Sequence, residues 1–190
     1  MSLTPSSPPA PRLAPAARAL LLAIARAAVR HRLGLEPAPE LPSDGPLAAP
    51  RGAFVTLRAR GELRGCIGTF SPLSSLAATV ARVAVSAATE DPRFDPIAEE
   101  DLGDLDVRIS ALDPRRPMRD PGDLVVGRDG VVVELGWNRG ALLPQVAAEE
   151  GWSPRTFLER TCLKAGLPPD AWCDASALVE IFSVEEMGTP

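Results

Sequence analysis

A cysteine set between two glycines, in an otherwise strand-like run, is the residue in this sequence whose type and setting best suit chemistry: Leu63-Arg64-Gly65-Cys66-Ile67-Gly68-Thr69. Glycine weakens a strand, so this spacing is expected where a bulge forms, where another backbone comes close, or where a ligand needs the room. If the run is extended, Arg64, Cys66 and Gly68 project from one face, which sets a guanidinium one side-chain pair from the sulfur and above bare backbone. A neighbouring cation favours the thiolate, the form of cysteine that attacks and ligates. Three readings of Cys66 stay open: a small core hydrophobe, as free cysteines commonly are, a thiol that touches a ligand, and a nucleophile. The last needs a base, and the single histidine, His31, falls in a helical segment between Arg30 and Arg32. A Cys–His dyad therefore depends on the tertiary fold bringing the two together.

Other polar residues stand where they can serve such a site. Asp91-Pro92-Arg93-Phe94 places an acid and a base on a rigid turn just past a helical segment, bordering Cys66 if that helix folds back, or forming a plain loop ion pair. Gln145 follows Leu142-Leu143-Pro144 and offers an amide near a helix start, with solvent exposure or capping as its ordinary role. Lys164 is the one lysine among twenty basic residues, a compact ammonium where arginine is the compositionally easy choice. His31, Cys66, Cys162 and Cys173 add up to a Cys3His set, but no two of them have the short spacing of structural zinc ligands, so no metal is expected. Cys162 lies on an apolar helical stripe and reads as core, and Cys173 follows Trp172 in a loop. Neither a Walker loop nor a Gly-x-Gly-x-x-Gly run occurs, so no nucleotide cofactor is expected.

The elements that must position these groups follow from periodicity. Residues 1–12 carry Pro5, Pro8, Pro9 and Pro11 among small polar residues and are expected to form a disordered tail. A helix begins near Ala14, with Ala17, Leu20, Leu21, Ile24 and Ala28 at helical spacing and Gly34 as its stop. Prolines 37, 39, 42, 46 and 50 exclude a regular element and predict a wrapped surface segment. Residues 53–57 and 63–69 read as a hairpin turning at Arg60-Gly61, followed by a helix with Leu76, Val80, Val83 and Ala87 on one face. Residues 105–112 alternate as a strand with one wet face.

A second hairpin is predicted from 123–126 and 131–135 around Gly127-Arg128-Asp129-Gly130, because Asp-Gly is a strong turn signal. A turn at 136–140, a short helix at 145–150 and a helix opened by Ser153-Pro154, with Phe157, Leu158, Cys162 and Ala165 inward, come next. A last strand falls within 177–184. A hairpin followed by a helix thus occurs twice, at about 53–90 and 124–165, which raises an ancient duplication that different strand connections in the halves would exclude.

With 190 residues, 45% of them hydrophobic, the chain can bury a core as a single domain over 13–186 or as two close subdomains. Its longest apolar run, Ala19 to Val29, is broken by Arg26 and falls short of a membrane span. Three cysteines, an odd number, point to reduced thiols, and with no secretory signal the expected location is the cytoplasm. A net charge of -5 with scattered arginines argues against nucleic acid.

Taken in order from about Ala14 to Glu186, the segments 63–69, 91–94, 127–130, 142–146, Gly151-Trp152 and 164–167 with Trp172 resemble the AMMECR-type domain, protein A of the AmmeMemoRadiSam system. The Arg-Gly-Cys-Ile-Gly run is the most specific part of the match; the proline-rich leader and the Pro37 to Pro50 segment depart from it. The resemblance implies an α+β fold of two packed subdomains, each a β-hairpin or sheet with helices and mostly antiparallel strands, meeting at a cleft beside the cysteine turn. It also implies association with a Memo-like, dioxygenase-related protein and a radical S-adenosylmethionine protein, whose cofactors would be theirs and not this chain's. The function expected is a module that binds a small ligand or a partner at that turn, through Arg64, Gly65, Gly68, Thr69, Asp91, Arg93, Gln145 and Lys164. The alternative is an enzyme in which Cys66 is the nucleophile or touches the substrate.

Overall fold

The computed structural model describes residues 12–71 and 73–188. These form the helices α1 (Pro15–Arg32), α2 (Leu76–Thr89), α3 (Pro144–Glu149) and α4 (Pro154–Lys164). The strands are β1 (Ala53–Ala59), β2 (Glu62–Thr69), β3 (Leu105–Leu112), β4 (Arg116–Pro117), β5 (Asp129–Leu135), β6 (Asn138–Leu142) and β7 (Leu178–Gly188). All strand pairs with a stated register are antiparallel, and the class is α+β. The described chain divides into two compact units, one of residues 12–112 and 185–188, the other of residues 113–184. The tail expected over residues 1–12 lies outside the described residues except for Arg12.

In the first unit β1 runs between β2 and β3, and β2 is the edge strand. Alternation sends Ala53, Val55, Leu57 and Ala59 of β1 inward, and Val107, Ile109 and Ala111 of β3 join them in the core. Onto this face pack Leu21, Ile24, Ala25 and Val29 of α1 and Leu76, Val80, Val83 and Ala87 of α2. Fully burying one such Leu or Val stabilises the fold by roughly 1.5–3 kcal/mol. Leu20, expected on the inner stripe of α1, is 44% exposed, because the buried face is centred on Leu21, Ile24, Ala25, Ala28 and Val29.

Arg60 and Gly61 both take positive φ, 52° and 81°, as a two-residue type I′ turn requires. The proline-rich segment is irregular, and it closes the start of α2: Leu76 and Ala77 donate their N–H groups to Ala49 and Leu47 carbonyls at 2.9 and 3.0 Å. Gly65 has a packing reason. A Cβ there would stand 1.9 Å from the Ala87 carbonyl oxygen, so its absence lets α2 lie directly on β2.

In the second unit β5 runs between β6 and β7, and α4 buries Phe157, Leu158 and Cys162 against Val131, Val133, Leu142, Val179 and Ile181. The hairpin is not where the Asp-Gly signal put it. It joins β5 to β6 through Gly136-Trp137, with Gly136 at φ 61° as the first central residue of a type II′ turn requires. Asp129 is drawn inward instead: its buried carboxylate accepts the Val125 N–H at 3.0 Å and pairs with Arg128 at 2.6 Å, so the residue opens β5. Gly130 is likewise a strand residue, lying under the Phe182 ring, 2.3 Å from where its Cβ would be. Residues 123–126 form no strand for the same reason, being held as the approach to β5.

The two units share one plan. Each has a hairpin followed by helix and then a return strand beside the first hairpin strand, giving β2-β1-β3 in one and β6-β5-β7 in the other. Gly140 corresponds to Gly65, since a Cβ on it would stand 2.7 Å from the Thr161 carbonyl oxygen of α4. Replacing Gly65 with Ala is expected to cost about 3 kcal/mol or to prevent folding. Gly103→Ala, where a Cβ meets nothing within 4 Å, should stay within about 0.5 kcal/mol of the parent in urea unfolding.

Candidate functional site

Cys66 is half-buried on β2 and stands opposite Thr56 of β1. Its N–H points away from β1 and donates to Asp91 Oδ2 at 2.8 Å, and its carbonyl accepts from Arg93 Nη2 at 3.3 Å. A residue whose two main-chain groups both face outward meets its cross-strand neighbour as a non-hydrogen-bonded pair, the arrangement that brings side chains closest. The Thr56 hydroxyl accordingly donates to Cys66 Sγ at 3.2 Å.

Asp91 and Arg93 reach this edge because α2 ends at Thr89 and the next residues turn back, with the Phe94 N–H on the Asp91 carbonyl. The pair is a fork: Arg93 Nε donates to Asp91 Oδ1 at 2.9 Å and Nη2 to Oδ2 at 2.7 Å. Asp91's side chain is 3% exposed and Arg93's 57%. Arg93's hydrogen bonds hold the Asp91 carboxyl well below the usual carboxylate range, against the upward push of burial and with help from the Cys66 and Arg93 main-chain N–H groups. Arg93 is raised in turn, first by its hydrogen bond to Asp91 and then by that carboxylate's charge, against the downward push of burial.

Arg64 has another partner. The register shifts between Leu57 and Arg58 and leaves Arg64 without an opposite residue on β1, so a bulge sits beside Gly65. From there Arg64 Nη1 donates to Asp101 Oδ1 at 2.8 Å, alongside Arg60 Nη2 at 2.9 Å. Buried Asp101 is held below its ordinary range first by the Ala98 N–H and then by the two arginines. Gly68 leaves no open patch, because the Phe54 ring occupies its face, 2.3 Å from where a Cβ would be. Phe54 itself meets Phe70 edge-on at 4.9 Å. Thr69 closes the strand, its hydroxyl accepting the Ser71 N–H at 3.1 Å.

The structure thus brings Cys66, Asp91 and Arg93 together in the first unit, with Gly65, Gly68 and Thr69 shaping the strand around them. Gln145, half-buried in α3, and Lys164, exposed in the last turn of α4, belong to the second unit. His31 is exposed, with Nδ1 2.9 Å from the Glu36 carbonyl oxygen. Cys162 is fully buried and burial pushes its thiol pKa up, whereas Cys173 is exposed.

Thr56 and Asp101 are the site residues that sequence reasoning missed. A hairpin folded symmetrically about Arg60-Gly61 puts Thr56 opposite Gly65, and only the bulge carries it to Cys66. Asp101 shows a weak signal, an acid in an acidic run, Glu99-Glu100-Asp101, within reach of the arginine-bearing hairpin.

Comparison with known proteins fits this architecture. The AMMECR1 family profile matches residues 22–187. A protein of Methanothermobacter thermautotrophicus is 46% identical over 173 residues, covering 87% of this chain and 90% of its own. The protein PH0010 of Pyrococcus horikoshii is 40% identical over 177 residues, covering 87% and 86%. Its crystal structure, described as that of an uncharacterized protein, superposes with a TM-score of 0.77 at 38% identity, over 88% of this chain and 89% of that one.

The depressed Asp91 carboxyl sets a pH dependence. A carboxylate whose folded pKa lies below its unfolded value, about 3.9, stabilises the fold above that value and loses this contribution as pH falls through the lower one. The stability difference between the parent and Asp91→Asn should therefore be constant above about pH 5 and shrink below about pH 4. Urea midpoints measured from neutral to acid pH check this, and a difference that does not change with pH contradicts it.

Proposed function

The chain belongs to the AMMECR1 family, and from that premise we propose that it is a binding module whose site is the turn around Cys66, taking a small ligand or a segment of a partner. The observation that carries this reading is the double hold on the Cys66 main chain: Asp91 takes its N–H and Arg93 its carbonyl, while the residue stays partly exposed. Such a hold fixes where the thiol sits before anything binds, and a surface ordered in advance loses less entropy on association.

The neighbours of the sulfur favour binding over attack. A nucleophilic thiol works with a base that takes its proton. Thr56 Oγ1 instead donates toward the sulfur, and the Asp91 carboxylate is occupied by Arg93 and the Cys66 N–H. His31 lies on α1 with Nδ1 at the Glu36 carbonyl. The second reading, an enzyme using Cys66, draws on one observation, the Arg93 guanidinium held on the Cys66 carbonyl, which sets a cation beside the half-buried thiol.

In the AmmeMemoRadiSam setting the module presents this surface to a Memo-like or a radical S-adenosylmethionine protein, each bringing its own cofactor. We place it in the cytoplasm on its cysteine usage; no helix among the described residues is long and apolar enough to cross a membrane.

Iodoacetamide should alkylate Cys66 in the folded protein and Cys162 only after unfolding, as mass spectrometry of the peptides will tell. Protection of Cys66 to the same degree as Cys162 removes the site. In a fragment screen read by amide shifts, binders should move Thr56, Cys66 and Gly68, and Cys66→Ser should weaken them by less than about tenfold. A covalent adduct or a turnover that this variant abolishes establishes the enzyme instead.

A further inference from the structure

We infer that the outer edge of β2 at Gly68 receives one extended segment of a partner polypeptide, which joins the sheet by exchanging two main-chain hydrogen bonds. The inference rests on the reading of the Cys66 turn as a binding site and names the chemistry of what binds.

The direction of Gly68's main-chain groups follows from Cys66. Along an antiparallel strand, outward-facing and inward-facing residues alternate. Cys66 gives its N–H to Asp91 and its carbonyl to Arg93, both off the sheet edge, so Gly68, two residues on, turns its own N–H and carbonyl the same way. Gly68 is half-exposed, and the Phe54 ring covers the face where its side chain would stand. What remains open is main chain. Among the described residues no hydrogen bond reaches these two groups.

The connection from α2 to β3 already lies along the neighbouring part of the edge. Asp101 holds Arg60 and Arg64 at one end, and Asp91 with Arg93 closes Cys66. The cover stops there, one pleat short of Gly68. Arg93 spends Nε and Nη2 on Asp91 and Cys66, and its Nη1 has no acceptor among the described residues, which leaves a further donor beside the open edge.

Charge selects the occupant. Asp91 already neutralises Arg93, so a free anion gains little here. One donor and one acceptor side by side on a strand edge match an uncharged peptide unit, the pairing by which sheets accept added strands.

Disulfide tethering at Cys66 in a Cys173→Ser background tests this without altering the edge. The probes are capped pentapeptides of valine and threonine, each with one cysteine placed at a different position and supplied as its mixed disulfide with 2-mercaptoethanol, the same peptides N-methylated on alternate main-chain nitrogens, and the mixed disulfide of cysteamine as the small-thiol baseline. Cys66 attacks the probe disulfide and 2-mercaptoethanol leaves as the thiol. Captured fractions are read by mass spectrometry under competing 2-mercaptoethanol. At least one unmethylated peptide should be captured about tenfold more strongly than its N-methylated counterpart, as the loss of one hydrogen bond implies. Equal capture of both, above cysteamine, overturns the edge-docking inference and leaves the Cys66 binding site standing. Capture of every peptide at the cysteamine level overturns the inference and counts against the site reading as well.

Discussion

A main-chain N–H at the edge of a sheet needs an acceptor, and where burial keeps water out it must find one in the protein. At Cys66 the acceptor is the Asp91 carboxylate, at 2.8 Å, and the arginine that keeps this carboxylate ionised also donates to the carbonyl of the same residue. Two side chains thus do for one residue what a neighbouring strand does for many. The thiol's position, the close approach of Thr56 and the depressed Asp91 carboxyl all follow from that arrangement. Farther along the same edge, the bulge at Arg64 and its ion pair with Asp101 are the distorted and charged features by which sheets commonly protect an edge.

Much of the frame was legible because it depends on period alone. The alternation in β3 and the stripe Leu76, Val80, Val83 and Ala87 in α2 are set by burial on one face, and they appear as read. The site was legible as a neighbourhood and not as a geometry. Asp91 and Arg93 could be placed near Cys66 from the expectation that the chain turns back after α2. That the carboxylate takes a main-chain N–H could not, because the sequence carries no mark of which strand lies at the edge. Thr56 was hidden by a one-residue bulge that shifts cross-strand partners. Arg64 was assigned to the sulfur on strand alternation, and the same bulge gives it to Asp101.

The second hairpin shows how a strong local signal loses to tertiary context. Asp-Gly favours a tight turn when nothing else claims its aspartate. Here Arg128 and the Val125 N–H claim Asp129, and Phe182 lies across Gly130, so the pair becomes the start of a strand. The two units nevertheless carry the same connections, and matched register sets the Thr56–Cys66 pair of one against Val132–Ala141 of the other. One copy of the plan holds a hydroxyl and a thiol where the other holds only hydrocarbon. Polar side chains at this register position are therefore confined to the first unit, while the strand connections around it are common to both.

Gly65 has no side chain to offer the candidate site. Yet the Ala87 carbonyl lies where its side chain would be, and four residues further along the chain comes Asp91. The gap left by one hydrogen atom in place of a methyl sets the height of the helix over the strand, and that height sets whether the carboxylate arrives. The part of this glycine is that of a spacer, acting on the candidate site at a distance through the rigid rod above it.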